Sequence, residues 1–483
     1  MFFMQFFWLK WKTTSCQVLK DVAQLLKDEL PVYRQGRNFY FLKEKKNAKV
    51  IDLNHTSSLK PLHLGHVALL WNGSYLFGLM TFWQLKKLGI PCSVITAEEI
   101  KQGILEKHHL LLVPGGWSGP KSEALGEKGK KEIRKFVRQG GNYLGICGGA
   151  GLALSDTDGL GLLPIKRKKN RGIANFYGKI VLKQTTSHPL WEGIPNEAPF
   201  NVWWPALFEV QDKEAITILG TYSDISPEFF VADLNILDLK KYSKIQKWEE
   251  QYQVNIDPGI LKNQPALLEG KYDQGKVVLT YPHLDTPDNP WEALALFNLY
   301  HSFFNKPFAI PTQPLKSYEE MPKYVLKLIK KLKMAMEEFF QFGQRNFLWY
   351  WYKPWMLRWR KGIRGFHYLT LYLLIKEINR YTHKKPVFVS PDLIIPHLET
   401  LVKIVLPFLE KAKSLLLKER YLLNTKPLSL ISTDNKELNI LRQELFGETP
   451  AYGGKFKQIL CYADKILVPF LKAEANNIYS KPR

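Results

Sequence analysis

The 483-residue sequence predicts an α/β domain built on a parallel sheet with helices on both faces, followed by a basic, all-helical region. Three observations predict it. Short apolar runs alternate with amphipathic stretches between residues 66 and 147, the rhythm of strands joined by crossover helices. A Gly-x-Cys-x-Gly pentapeptide, Gly145-Ile146-Cys147-Gly148-Gly149, stands where one such strand gives way to a helix. Beyond residue 310 the β signals fade and apolar residues take helical spacing. The length itself calls for more than one domain.

Residues 1–63 are expected to form an N-terminal extension. Its apolar opening, residues 1–9, has no basic residue before it and ends at Lys10 and Lys12. A packed or partner-facing segment is expected there in preference to a signal sequence, and the run is too short to span a bilayer. An amphipathic helix follows (Val18, Leu19, Val22, Leu25, Leu26, Leu30), then a strand-like stretch at 38–42.

From residue 64 to 306 the spacing predicts the α/β domain. A strand at 67–71 meets a turn at Asn72-Gly73, and a helix over 75–88 ends at Gly89. Next come a strand at 92–95, a helix over 97–105 and a strand at 109–113 that stops at Pro114-Gly115-Gly116. A helix over 127–138 ends at Gly140-Gly141 and leads into the strand before Cys147. Short β segments follow at 178–182, 207–210 and 216–219. The runs 266–272 and 275–280, joined by Asp273-Gln274, read as a hairpin. A helix over 291–304 closes the domain. Pro307, Pro311 and Pro314 mark a linker at 307–317. Residues 318–483 carry helical patterns at 318–342, 363–380, 392–421 and 434–446.

The pentapeptide describes a nucleophile elbow, a sharp and strained strand-to-helix turn that presents its central side chain. Flanking glycines suit it because neighbouring strands leave no room for a Cβ. At the start of a helix, the dipole and free N–H groups favour the anionic form of a cysteine, which is the nucleophile. Cys147 is therefore the candidate nucleophile. His283, at the end of the last strand, is the candidate base. Asp285, two residues on, would accept a hydrogen bond from its ring and hold its tautomer. The backbone N–H of Gly148, with one from Gly115 or Gly116, would form an oxyanion hole. Asn72 and Trp117, each just beyond a strand end, are candidate substrate contacts, since sites in such sheets lie past the carboxyl ends of the strands.

These residues resemble the class I glutamine amidotransferase-like superfamily, which implies a flavodoxin-like three-layer fold. Within it the chain is most similar to the amidotransferase-like domain at the N-terminus of some biotin–protein ligases. The resemblance is carried by Pro114-Gly115-Gly116-Trp117, by residues 140–150 and by His283-x-Asp285. It covers about half the chain. The superfamily's triad is Cys-His-Glu; Asp285 stands in for the Glu, and Gly151 stands where glutaminases usually carry Gln. What the resemblance implies is a cysteine-dependent amidase or amidotransferase-like hydrolase, acting on a C–N amide bond through a thioester, with a substrate other than glutamine in view. The alternative is a binding module of the same fold that takes a small molecule or partner without turnover. Nothing after residue 310 resembles a biotin-ligase catalytic domain, and none is expected there.

Composition narrows the partners. Four cysteines, Cys16, Cys92, Cys147 and Cys461, include no CxxC pair, which argues against a zinc cluster or disulfide framework and fits a reducing cytoplasm. No metal or cofactor is expected. The formal charge is +23, and residues 311–483, with 30 Lys and Arg against 15 Asp and Glu, supply +15 of it. Such an excess forms either a solvated lysine-rich surface or an attractor of anionic partners. Residues 347–361 interleave aromatics with Lys and Arg. Docking on the first domain is the leading expectation for that run, ahead of a protein partner or an anionic membrane surface; nucleic acid is disfavoured. Lys166-Arg167-Lys168-Lys169 and Arg171 form a basic loop near the site, read as solvated in preference to an anion-binding flap.

Overall fold

The computed structural model describes residues 4–12, 16–44, 59–156, 158–169, 173–174, 176–231, 233–239, 245–252, 254–308, 320–384, 389–425, 428, 434–448 and 451–477. Residues 1–3, Arg171, Pro311 and Pro314 lie outside them.

The alternation between 66 and 147 folds as its spacing predicts. Strands Val67–Leu70, Cys92–Ile95, Leu110–Val113, Asn142–Ile146 and Gly275–Thr280 pair in parallel. Their spatial order from the edge is Cys92–Ile95, Val67–Leu70, Leu110–Val113, Asn142–Ile146, Gly275–Thr280. Alternate side chains leave each strand on opposite faces. Val67 and Leu69 enter one apolar layer with Leu76 and Leu79 of helix Tyr75–Leu88 and Phe297 of helix Pro290–Ser302. Ala68 and Leu70 enter the other with Leu125, Ile133 and Phe136 of helix Ser118–Arg138. The result is three layers, with every residue of Val67–Leu70 and Leu110–Val113 buried, as strands covered on both faces must be.

The sheet does not stop there. Hairpin Pro265–Tyr272/Gly275–Thr280 turns through Asp273 (φ 51°) and reverses its direction. Ile216–Val231, Phe176–Gln184 and Glu197–Trp203 then continue it antiparallel, giving a ten-stranded mixed sheet in place of a purely parallel one. The helix expected over 127–138 is present, and a further helical stretch from Ser118 precedes it; the two meet at a kink at Gly126, whose φ 55° and ψ −175° are not helical.

Both ends of the chain differ from a simple appendage. Strands Met4–Lys10, Asn38–Glu44, Val32–Gln35 and Lys60–Pro61 form a small sheet of their own in that order. It is anchored on the domain by the buried Arg34 guanidinium, which donates to Glu192 O (2.8 Å) and to Asn298 Oδ1. In the C-terminal region, Lys323–Arg345, Gly365–His383, Pro391–Leu423 and Lys436–Phe446 match the helical patterns. That region is not all-helical: Trp349–Lys353 and Met356–Trp359 form a hairpin. A further helix, Gly454–Asn477, escaped the pattern because Pro469 interrupts it and many of its residues (Leu460, Ile466, Leu467, Phe470, Leu471) are buried on several sides. It covers the edge strand Cys92–Ile95 through Trp71 Nε1–Asp464 (2.7 Å), Lys86–Glu474 (2.6 Å) and Lys472–Glu99 (2.7 Å). Covering an edge removes a site of unwanted strand pairing.

The 347–361 run serves mostly as docking surface. Trp359 stacks on Tyr177 (5.6 Å, 8°), and Trp355 meets Trp203 edge to face (5.9 Å). Leu348, Trp349, Met356 and Leu357 are buried, whereas Phe347 (75% exposed) and Tyr350 (49%) project. Among the described residues no helix is long and apolar enough to cross a membrane.

Gly149 anchors the centre of this packing: a Cβ there would lie 1.9 Å from Val113 O, while one on Gly119 would meet nothing within 4 Å. Gly149→Ala is expected to cost about 3 kcal/mol. Gly119→Ala, in an exposed helical turn, should leave stability unchanged or raise it by about 0.5–1 kcal/mol. Urea unfolding of the two variants side by side checks the contrast.

Candidate active site

Three turns at neighbouring strand ends stack on one another. Gly73 O lies 2.5 Å from where a Cβ on Gly116 would sit, and Gly116 O lies 1.7 Å from where one on Gly148 would sit. A Cβ on Gly145 would meet Gly149 O at 2.6 Å. The glycines are thus required by contact, not only by turn geometry. Cys147 itself adopts φ 51°, ψ −107°, a conformation costing about 1–3 kcal/mol for a residue with a Cβ. It is held there by Cys147 N–H to Thr280 O (2.7 Å) and by Gly151 N–H to Cys147 O (3.0 Å). Tyr75 (φ 44°) and Trp204 (φ 46°) are strained at the same end of the sheet.

His283 and Asp285 are brought to this elbow, both fully buried. The imidazole Nδ1 is 2.8 Å from Asp285 Oδ1, and Thr81 Oγ1 donates to the other carboxylate oxygen. Phe77 stacks on the ring (5.0 Å) and Trp203 meets it edge-on (4.7 Å), so the ring has little freedom to turn. Burial alone would lower the His283 pKa. The charge and hydrogen bond of Asp285, helped by Cys147, outweigh burial and raise it to about 10. Nε2 faces the thiol and interacts with it electrostatically, yet has no partner at hydrogen-bonding geometry. The thiol instead donates to Trp203 O at 3.8 Å.

A cavity of about 100 Å³ opens on Cys147, lined by Gly116, Trp117, Ser118, Gly148, Arg167 and the aromatic rings of Phe77, Trp203, Trp204, Tyr281 and Phe366. Gly116 and Gly148 lie at its wall, and their amides have no hydrogen-bond partner among the described residues. Trp117 lines it as expected. Gly115 does not. It faces the imidazole: a Cβ there would lie 2.8 Å from His283 Cε1, so its absence makes room for the ring. Asn72 is also displaced from the expected role, because its Oδ1 accepts from Ala97 N (2.7 Å) and ties down the helix Ala97–Lys101. Arg167, read as solvated, is exposed and also borders the cavity.

Two contributors had escaped the sequence. Thr81 was a lone hydroxyl in an apolar helix, a signal that points to a buried polar partner. Lys121 gave no signal in a lysine-rich helix, yet it is fully buried, with Nζ 2.6 Å from Ser74 Oγ and 3.5 Å from Asn72 O. Burial lowers its pKa to about 7, against the raising influence of Cys147 and of Asp464. It braces the Asn72–Ser74 turn beneath Gly116.

The comparison that bears on this site falls on the elbow. Residues 92–157 match the family described as biotin-protein ligase, N terminal. The match contains Pro114 to Cys147 and stops short of His283 and Asp285. It finds again, in that stretch, the resemblance carried by residues 114–117 and 140–150. No curated protein matches the chain. Among solved structures, the chain is similar to a Thermoplasma acidophilum protein described as a GMP synthase subunit (13% identity, 50% of this chain and 94% of that one, TM-score 0.32). It is also similar to a glutamine amidotransferase of Thermotoga maritima (12%, 46% and 77%, 0.29). A third is a ThuA-like protein of Bacteroides uniformis (11%, 49% and 90%, 0.33).

The raised His283 pKa has a consequence for stability. A histidine titrating near 6.5 when unfolded and near 10 when folded adds stability that is complete below about pH 6.5 and is lost as pH rises through about 10. Asp285→Asn removes the main raising influence. The stability gap between wild type and Asp285→Asn should therefore be widest at about pH 6 and shrink towards about pH 10, read by denaturant melts across that range.

Proposed function

We propose that the chain is a cysteine-dependent amidase or amidotransferase-like hydrolase that cleaves a C–N amide bond through a thioester. The observation that carries this reading is a strained, glycine-locked Cys147 lining a cavity, with the His283–Asp285 pair buried behind it. In the proposed sequence, Cys147 Sγ attacks the amide carbonyl and the developing oxyanion takes the Gly116 and Gly148 amides. His283 Nε2 protonates the departing amine. Water, deprotonated by His283, then attacks the thioester and releases the acid with the thiol restored. Asp285 holds the ring throughout, and Thr81 holds Asp285.

The cavity is small for a whole ligand, since drug-sized sites run to about 300 Å³ and more. A small-molecule amide or one amide of a peptide suits it, the remainder lying outside. The thiol's contact with Trp203 O favours the second reading, a binding module of the same fold in which the sulfur never meets the imidazole.

An activated ester separates the two. Wild-type protein treated with p-nitrophenyl acetate should release a burst of p-nitrophenolate stoichiometric with chain and carry one acetyl group on Cys147. Cys147→Ser should abolish the burst, and His283→Ala should slow it by about 10²-fold or more. Acetylation spread over Cys16, Cys147 and Cys461 at similar rates, insensitive to His283→Ala, would leave the binding module as the reading to keep.

A further inference from the structure

Arg167 ends the strand Ile165–Arg167, which pairs antiparallel with Phe208–Val210. Strand alternation sends Lys166 to the other face and leaves Arg167 on the side of the elbow. Its Nη2 lies 3.0 Å from where a Cβ on Gly151 would sit, so the guanidinium fills the space that a longer side chain at 151 would take. Arg167 is the one cationic side chain among the described residues lining the cavity, and a guanidinium stays protonated. Its Nη2 reaches Ser118 Oγ at 3.5 Å, and its charge acts on the Tyr281 hydroxyl. Asp156 Oδ2 takes the backbone N–H of Arg167 (3.3 Å), and among the described residues no carboxylate lies within ion-pair distance of the guanidinium.

A cation facing an aromatic-walled cavity without an acidic partner is a recognition element. The planar guanidinium fork matches a carboxylate in two parallel hydrogen bonds. Resting on the proposed amide chemistry at Cys147, we infer that the substrate is an amide carrying a carboxylate close to the scissile bond, and that Arg167 is the residue selecting it. Trp117, Trp204 and Phe366 hold the apolar part between the two polar ends. Phe366 belongs to the C-terminal region and stacks on Phe77 (5.4 Å), so that region shapes the choice of substrate.

Iodoacetate and iodoacetamide test this without the natural substrate. Both alkylate a thiolate in one displacement, with the C–S bond forming as iodide leaves, and they differ in carboxylate against carboxamide. The ratio of the two rates at Cys147 is compared with the ratio at exposed Cys461, which reports the general field of the basic chain. The Cys147 ratio is expected to exceed the Cys461 ratio by about tenfold, the effect of one charge-assisted hydrogen bond. Arg167→Met should remove that excess, Arg167→Lys should keep part of it, and Lys166→Met should leave it intact. A Cys147 that reacts with both reagents at a ratio indifferent to Arg167→Met overturns this inference alone. A Cys147 inert to both removes the amide chemistry and this inference with it.

Discussion

Contact between backbone atoms at three strand ends governs this molecule. The turns after Val67–Leu70, Leu110–Val113 and Asn142–Ile146 touch carbonyl to Cα, at separations that leave no space for side chains on Gly116, Gly148 or Gly149. Because protein interiors are close-packed, such contacts fix position to a few tenths of an ångström. Cys147 is strained because its neighbours are fixed, and the strain keeps its side chain turned towards the cavity. The parallel strand order brings the three turns together: Leu110–Val113 lies between Val67–Leu70 and Asn142–Ile146 although Cys92–Ile95 precedes it in sequence.

Around that point the protein buries charge in pairs. His283 is held by Asp285, and Asp285 by Thr81. Behind them Glu292 accepts from Asn201 Nδ2 (2.9 Å) and Asn289 Nδ2 (2.9 Å), and is bonded to Thr286, which ties together the segments flanking His283. Burial raises the Glu292 pKa to about 7 in spite of these bonds. On the opposite side Lys121 lies under the Gly116 turn, with Asp464 of the C-terminal helix acting on it at longer range. Removing one member of such a pair strands the other in a poorly polarisable interior, which commonly costs about 3–5 kcal/mol.

The C-terminal region is consequently part of the site. Phe366 walls the cavity, Tyr452 meets Tyr75 edge to face (4.9 Å) at the strained start of its helix, and Asp464 reaches Trp71. Its own interior is closed by the buried Arg442–Glu419 pair (2.8 Å). An aromatic and basic run that looks suited to a foreign surface in one dimension is largely consumed by contact with Tyr177 and Trp203 in three.

The sequence by itself determined the local elements, the strand-to-helix turn at Cys147 and the identity of the candidate site residues. Those follow from short-range rules: apolar spacing sets strand or helix, glycines mark tight turns, and Gly-x-Cys-x-Gly marks the candidate nucleophile. His283-x-Asp285 was legible for the same reason, its partners being two residues apart. Tertiary structure alone decided what depends on contacts distant along the chain. It turned Asn72 away to cap a helix, set Gly115 as the recess for an imidazole, brought Thr81 to Asp285 and buried Lys121. It also extended the parallel sheet with antiparallel strands and placed Arg167 at the rim of the cavity that Cys147 lines. In each case the side chain's role is set by which atoms lie within about 3–4 Å, and residue type and spacing carry no record of that.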